Sequence, residues 1–314
     1  MPNWNDILYE INKLGSTHDI VRHSYLRKLN KLTGRNVIAY YSGWLQKPGM
    51  RGTEVNDADK NGFMTVVHRL DRKKGLDLIL HTPGGESAAT ESLVDYLRSM
   101  FGTDMRAVVP QLALSAGTMI ACACRSILMG KQSSLGPVDP QLRGIPAHGV
   151  VEEFKRAHAE IGAGGLLDQA KIAVWQPIIA KYNPTLVGEC EKAIDWSKEM
   201  VKDWLKTGML AGGADAEQRA ADIVDDLTDH ALTKSHARHL SVQKCEDMGL
   251  TIERLEKDQK LQDAVLSVHH AYIHTLGATN AFKVIENHKG TAFIQSAQLA
   301  LIQAPIQGQM QAPS

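Results

Sequence analysis

The amino-acid sequence predicts an α/β fold with a mostly parallel sheet, followed by a mostly helical region. Two observations lead to this prediction. Between residues 36 and 129, short apolar runs rich in β-branched residues alternate with segments in which apolar residues recur at helical spacing. Beyond residue 149 the helical spacing continues with only short breaks. We therefore expect an α/β core over residues 1–148, a mostly helical extension over residues 149–295 and a flexible tail over residues 296–314.

The elements of the predicted core follow one another in a regular order. Short apolar runs predict strands over residues 36–42, 76–80, 106–109 and 126–129. Helical spacing predicts helices over residues 4–32, 61–70, 86–100 and 115–124. The extension is predicted to add helices over residues 150–210, 214–232, 241–248 and 258–276. Strands that alternate with helices indicate parallel crossover units, so the carboxyl ends of the strands are expected to meet at one edge of the sheet.

The composition argues against several classes of protein. Lysine plus arginine and aspartate plus glutamate both number 35, and this balance gives no support for nucleic acid as the main partner. Four cysteines are too few for a disulfide scaffold in a chain of 314 residues. The most apolar window, residues 107–130, is interrupted by polar residues, so we expect no membrane span. Without a secretory signal at its start, the chain is expected to be cytoplasmic.

The apolar run over residues 76–80 ends in a turn with two consecutive glycines, Gly84 and Gly85. The carboxyl end of a strand in a parallel sheet is where α/β proteins form ligand crevices. Glycines there can adopt unusual φ angles and expose their N–H groups. A plain turn into the next helix is the alternative interpretation. A phosphate-binding loop is unsupported, because no Lys-Ser or Lys-Thr pair follows the glycines.

Ser115 lies where a strand is predicted to give way to a helix of small residues. Serine is a preferred helix N-cap, and that interpretation stays open beside the one of a nucleophile. One helix and one strand separate Gly85 from Ser115, so a parallel crossover would bring both to the same sheet edge. The N–H groups of Gly84 or Gly85 and of Ala116 would then face an oxyanion that develops beside the Ser115 hydroxyl. This pairing predicts a serine hydrolase.

Three segments together resemble the serine dehydrogenase proteinase family. They are residues 81–85 (HTPGG), 115–121 (SAGTMIA) and 134–141 (SLGPVDPQ). That family belongs to the Clp peptidase and crotonase-fold superfamily and is related to signal peptide peptidase A. The resemblance implies a parallel β-spiral core with helices, a peptide or protein substrate and assembly into a homo-oligomer. It also implies serine peptidase chemistry, which needs no metal or organic cofactor.

The resemblance implies roles for individual residues. Ser115 matches the nucleophile of the superfamily. Gly84, Gly85 and the N–H group of Ala116 match its oxyanion hole. Asp139 stands about where Clp peptidases carry the histidine that acts as base, and no histidine stands there. A Ser-His-Asp triad of the Clp type is therefore not expected.

A lysine is then the expected general base, as in the relatives of signal peptide peptidase. Such a lysine must be neutral to accept the serine proton, which requires a pKa lowered by burial or by a nearby cation. Lys155 lies 40 residues after Ser115, close to the separation in the archaeal relatives. Lys171, further along among apolar residues, is the alternative. For either residue, a solvated lysine on a helix surface is the competing interpretation.

Two other functions stay open at this point. A crotonase-like acyl-thioester enzyme would need a pocket for coenzyme A, and the sequence has no basic cluster suited to one. A degenerate Clp-fold scaffold or adaptor would need no base at all. Metal binding is not expected, because the cluster of His230, His236 and His239 is not completed into a zinc-binding pattern.

Overall fold

A computed structural model of the chain describes Ile7, Tyr9 and residues 18–142, 144–162, 169–228 and 238–297. The strands in this part of the chain are β1 (Asn36–Ser42), β2 (Leu76–His81), β3 (Met105–Val109), β4 (Leu112–Ala113), β5 (Ser126–Met129), β6 (Ser134–Leu135), β7 (Gln141–Leu142), β8 (Ile145–Pro146), β9 (Leu240–Ser241), β10 (Ile252–Arg254), β11 (Ala281–Asn287) and β12 (Ala292–Ser296). The predicted strands over residues 36–42 and 126–129 have these same bounds, and the other two are each one residue longer.

The helices follow the predicted order. They are α1 (His18–Thr33), α2 (Ala58–Val67), α3 (Ser87–Phe101), α4 (Ala116–Cys122), α5 (Ala147–Gly162), α6 (Gln169–Ile179), α7 (Leu186–Thr207), α8 (Ala216–Thr228), α9 (Val242–Asp247) and α10 (Gln259–Ala278). The first predicted helix, residues 4–32, begins in a part of the chain that lies largely outside the described residues. No helix in the described ranges is both long and apolar enough to cross a membrane.

A seven-stranded sheet forms the centre of the molecule, in the order β10-β5-β3-β2-β1-β11-β12. The first five strands of this order are mutually parallel, whereas β11 and β12 are antiparallel to their neighbours. A smaller sheet, β4-β6-β9, lies beyond the carboxyl ends of the parallel strands. The predicted α/β class with a mostly parallel sheet is confirmed.

Two separate apolar cores cover the two faces of the sheet. Successive residues of β1 alternate between them, because side chains of a strand point to opposite faces. Ile38 and Tyr40 lie in the larger core, which also takes in α2, α3, α4 and the second half of α7. Val37 and Tyr41 lie in the other core, with α1 and α10. All seven residues of β1 are buried, as expected for a strand covered on both faces.

The extension beyond residue 149 is mostly helical, but it also supplies β10, β11 and β12 to the main sheet. Sequence reasoning missed β11 because Lys283 and Glu286 interrupt its apolar pattern. Both side chains are buried, and each is paired with an opposite charge: Lys283 with Asp59, and Glu286 with Arg22. The division of the chain at residue 148 stays a prediction, and the expected tail lies outside the described residues from residue 298 onward.

Candidate active site

Main-chain hydrogen bonds join the turn after β2 to the start of α4. The Thr82 N–H group donates to Leu112 O (3.2 Å), and Thr82 O accepts from Leu114 N (3.0 Å). Short strand β4 thereby continues the pairing of the sheet past the end of β2. The consequence is that Gly84 lies directly against Ser115.

The backbone of Ser115 is in a conformation that residues with a side chain rarely adopt. Its φ is 50° and its ψ is −112°, which are the angles of the first central residue in a type II′ turn. The Gly117 N–H group closes this turn by donating to Leu114 O (2.8 Å). Ser115 occupies the N-cap position of α4, but its side chain makes no capping hydrogen bond to this helix. A strained serine at a strand-to-helix turn is typical of a nucleophile.

Gly84 provides the space that this serine needs. Its φ is 102°, a value that favours glycine. A Cβ at this position would lie 2.6 Å from Ser115 Cβ and 2.8 Å from Leu114 O. Any residue other than glycine would therefore displace Ser115. The Gly84 N–H group donates to Thr82 Oγ1 (3.2 Å) and is not free to meet a substrate.

Val55 fixes the orientation of the peptide bond between Gly84 and Gly85. The Val55 N–H group donates to Gly84 O (2.7 Å), and Val55 O accepts from Glu86 N (2.9 Å). Because this peptide bond is planar and trans, the Gly85 N–H group points away from Val55. A Cβ at Gly85 would lie only 2.2 Å from Val55 O, so the two main chains meet at a distance that only glycine allows.

Two N–H groups beside Ser115 are left for a ligand. Neither Gly85 N nor Ala116 N has an acceptor among the described residues. Ala116 N lies 3.2 Å from the position that a Cβ on Gly84 would occupy. A serine hydroxyl with two unused main-chain donors next to it is the arrangement that stabilises the oxyanion in acyl transfer.

A buried ion pair holds the main chain on both sides of Val55. Lys283 Nζ lies 2.8 Å from an Asp59 carboxylate oxygen, and both side chains are almost fully buried. Lys283 Nζ also donates to Glu54 O (2.7 Å), and Asp59 accepts from Asn56 N (3.0 Å). Burial lowers the pKa of Lys283, and the neighbouring Asp59 carboxylate opposes that shift. The pair thus anchors the residues on both sides of Val55.

The hydroxyl of Thr118 attaches the next segment to α4. Thr118 Oγ1 donates to Gly136 O (2.8 Å) and accepts from Gly136 N (3.0 Å). Val138 N donates to Leu227 O (2.9 Å), which continues the attachment towards α8. These contacts carry Asp139, which is only 4% exposed, to the same place as Ser115.

A cavity of about 350 Å³ opens at this point. Its lining includes four of the predicted site residues, namely Ser115, Gly84, Gly85 and Asp139. The two predicted lysines are not among the described lining residues. Lys155 is exposed on α5, and Lys171 is partly buried on α6. The structure therefore brings the predicted nucleophile, the glycines and Asp139 together, and neither lysine is among the described residues that line the cavity.

No histidine is among the described residues that line the cavity. His81, at the end of β2, is fully buried and does not line the cavity, and burial lowers its pKa to about 3. His239 is exposed, while His230 and His236 lie outside the described residues. No group of three or more metal-ligating side chains occurs in the part of the chain that the structure describes.

Several lining residues were missed by sequence reasoning, and three of them are Glu54, Glu86 and Ser197. Glu54 and Glu86 place carboxylates at the cavity, and Ser197 reaches it from the middle of α7. Glu86 could have been found, because it directly follows the two glycines. Glu54 and Ser197 are far from both motifs in sequence and carry no local signal. Only the pairing of Val55 with Gly85 and the packing of α7 bring them here.

The chain is similar in sequence to known proteins. A family model described as ClpP-like SDH-type serine proteinase matches residues 12–263. Two uncharacterized proteins of Methanocaldococcus jannaschii are similar in sequence. MJ0137 is 28% identical over 195 residues, which cover 62% of this chain and 59% of MJ0137. MJ1495 is 29% identical over 232 residues, which cover 72% of this chain and 70% of MJ1495.

One solved structure is also similar in fold. It is the 1510-N membrane-bound stomatin-specific protease, determined as a mutant. The superposition has a TM-score of 0.36 and 14% sequence identity, and it covers 63% of this chain and 74% of that chain.

Proposed function

Because the chain belongs to the ClpP-like SDH-type serine proteinase family, we propose that it is a serine peptidase with Ser115 as its nucleophile. The observation that carries this proposal is the strained backbone of Ser115. It lies beside Gly84 at the edge of a cavity, with no capping bond to occupy its hydroxyl. Strain of this kind persists where the surrounding structure over-determines it, and it clusters at active sites.

The proposed reaction follows the general course of acyl transfer. Ser115 Oγ attacks the carbonyl carbon of a peptide bond and gives its proton to a general base. The Gly85 and Ala116 N–H groups donate to the oxyanion of the tetrahedral intermediate. The base then protonates the leaving amine, which departs and leaves an acyl-enzyme. Water, deprotonated by the same base, hydrolyses the acyl-enzyme and restores the Ser115 hydroxyl.

For the general base we propose Lys155, with Lys171 as the alternative. Helix α5, which carries Lys155, begins shortly after Gly144, a lining residue of the cavity. It packs on α7, which carries Ser197. Because Lys155 is exposed in the described conformation, its role requires α5 to approach Ser115 or a second subunit to cover the site. Asp139, which lines the cavity, would then orient the lysine side chain towards Ser115.

A peptide or protein is the proposed substrate, and a homo-oligomer is the proposed assembly, both on the basis of the family. Thioester chemistry has no specific support. Among the described residues that line the cavity, none is a lysine or an arginine that would bind the phosphates of coenzyme A. The chemical reactivity of Ser115 distinguishes a peptidase from a scaffold without catalytic activity.

Labelling with a fluorophosphonate probe tests the nucleophile. We expect a single adduct on Ser115 by intact mass and peptide mapping, and we expect none with Ser115→Ala. Ser87→Ala is the matched control, since Ser87 lines the same cavity and should leave the adduct in place. An adduct on another serine, or no adduct on the wild type, would contradict the proposal and favour a scaffold.

Peptide hydrolysis by lysine variants tests the base. We expect Lys155→Ala to lower kcat by about 10²–10⁴, the usual contribution of general acid–base catalysis. Lys181→Ala, which removes an exposed lysine after α6, is the control and should have little effect. If Lys171→Ala shows the large loss instead, the assignment moves to Lys171. Full turnover in both variants would exclude a lysine base and leave the role of Ser115 intact.

A further inference from the structure

The cavity beside Ser115 has apolar walls and acidic groups. Met119 and Val138 belong to the large apolar core and also line the cavity. Glu54 and Glu86 line it as well. A ligand that matches both features has an aliphatic part and a cationic end, because long basic side chains bury their stems on apolar surface and keep the charge on a polar partner.

The carboxylate of Glu54 is held in place by its own turn. Both of its oxygens accept from Gly52 N, at 3.2 and 3.0 Å. The nearest buried cation, Lys283, already forms an ion pair with Asp59 and contacts Glu54 through the main-chain oxygen. The Glu54 carboxylate forms no ion pair among the described residues, although its charge helps to raise the pKa of Lys283, and Glu54 is one of the residues that line the cavity.

Glu86 places a second carboxylate next to the proposed oxyanion hole. It follows Gly85 directly, and its N–H group is fixed by donation to Val55 O (2.9 Å). The side chain is exposed. Among the described lining residues there is no lysine, arginine or histidine, and Arg143 lies outside the described residues. Asp139 also lines the cavity, but the argument rests on Glu54 and Glu86.

Ser197 adds an independent observation. Its side chain is 1% exposed, and its Oγ has no hydrogen-bond partner among the described residues. Buried hydroxyl groups in proteins are nearly always hydrogen-bonded, so the partner of this one is a group that enters the cavity, which is water in the free protein and a polar group of the ligand in a complex. A lysine ammonium or an arginine guanidinium supplies N–H donors and has no acceptor of its own.

We propose that this cavity is a specificity pocket for a lysine or arginine side chain next to the scissile bond of a peptide substrate. The aliphatic stem contacts Met119 and Val138, the cationic end lies between Glu54 and Glu86, and one of its N–H groups donates to Ser197 Oγ. This inference rests on the proposed function, since it names the substrate that the Ser115 site accepts.

Matched peptides test the pocket. Internally quenched peptides carry lysine or norleucine, and arginine or citrulline, on either side of one cleavable bond. We expect kcat/KM to be about tenfold higher for the cationic member of each pair, the effect of one charge-assisted contact. Glu54→Gln combined with Glu86→Gln should bring this ratio to about one. Ser197→Ala should lower the ratio of kcat/KM for the cationic peptide to that for the neutral peptide. Higher ionic strength should lower the same ratio for the wild type.

Asp57→Asn is the matched control. It removes a carboxylate three residues from Glu54 that lies outside the cavity and caps no helix with its side chain. The ratio of kcat/KM for the lysine peptide to kcat/KM for the norleucine peptide should be the same in this variant as in the wild type. For each variant the result is the ratio of kcat/KM for two peptides measured on the same protein sample. A smaller fraction of folded protein lowers both values equally and leaves the ratio unchanged.

The outcomes separate this inference from the proposed function. Hydrolysis of all peptides without a preference for cations, or with a preference for norleucine, overturns the pocket and leaves the peptidase intact. If no peptide is hydrolysed, the same peptides are titrated into Ser115→Ala by calorimetry. Equal affinity for lysine and norleucine peptides then overturns the pocket, whereas tighter binding of the lysine peptide supports it without catalysis.

Discussion

The two walls of the cavity are held by different kinds of contact. The sheet wall, residues 82–86 and 114–117, is fixed by main-chain hydrogen bonds and by glycines that no other residue could replace. The helical wall, the packed pair of α5 and the first half of α7 that lies behind the cavity, is held by a small apolar cluster, and among the described residues of these two helices only Ser197 of α7 lines the cavity itself. The buried members of the cluster are Ala147, Val150, Val151, Cys190 and Ile194.

The two walls carry different functional groups. The proposed nucleophile and the proposed oxyanion donors belong to the sheet wall, where donors need to be fixed before the substrate arrives. The proposed base and Ser197 belong to the side that side-chain packing holds. A wall of that kind is able to shift by small rearrangements of its few contacts.

The largest expected effect comes from the ion pair behind the sheet wall. Lys283→Met leaves the Asp59 carboxylate buried without its partner, so we expect the free energy of unfolding to fall by about 3–5 kcal/mol. Denaturant titration measures it. We also expect kcat to fall more than KM changes, because Val55 loses the anchor that orients the Gly85 N–H group.

Lys289→Met is the control for this change. Lys289 is exposed near the same strand, so its loss should alter stability by less than about 0.5 kcal/mol. Adding Asp59→Asn to Lys283→Met should recover part of the stability, because the unpaired charge is removed. Equal stability of the Lys283 and Lys289 variants would show that the ion pair does not hold the sheet wall.

The second prediction concerns Gly84 itself. Gly84→Ala forces a Cβ to within 2.6 Å of Ser115 Cβ, so we expect kcat to fall about 10²–10³-fold as the serine and the donors lose their alignment. Gly34→Ala is matched to it. Gly34 also has a positive φ, of 70°, but a Cβ there has no neighbour within 4 Å. Gly84→Ala should lose more stability than Gly34→Ala, because only its Cβ meets neighbours, and comparable activity in the two variants would contradict the proposed role of Gly84.

Hydrogen exchange compares the two walls directly. We expect main-chain amides of α5 to exchange at least about tenfold faster than those of β1 and β2, since the few contacts of the helical wall allow it to open without global unfolding. Residues 200–205 of α7 serve as an internal reference, because this half of the helix lies in the large core. Protection of α5 equal to that of β2 would remove the distinction between the walls.

The same distinction explains what the sequence reveals. Gly84, Gly85 and the small residues after Ser115 are required by main-chain geometry, so they form local motifs that can be recognised without a structure. Ser197 touches the cavity only because of how α7 packs, and nothing around it in sequence indicates this. Strand β11 was missed for a related reason. Its buried Lys283 depends on a partner more than 200 residues away, which local periodicity cannot show.

The smallest expected effect tests why a serine occupies position 115. Ser115→Gly suits the observed φ of 50° and ψ of −112°, whereas Ser115→Ala keeps the strain of a Cβ in this conformation. Both variants lose the nucleophile and should be inactive. We expect only the glycine variant to be more stable than the wild type, by about 1 kcal/mol after the greater chain entropy of glycine is subtracted.

Thermal unfolding of the three proteins measures this difference. A higher melting temperature for Ser115→Gly than for Ser115→Ala would show that the sheet wall holds a serine where glycine fits better. Stability is often lost at sites that need a strained residue for activity, so this result would support a functional reason for the serine. Equal melting temperatures would mean that the conformation stores no strain, and the argument for a nucleophile would then rest on chemical labelling alone.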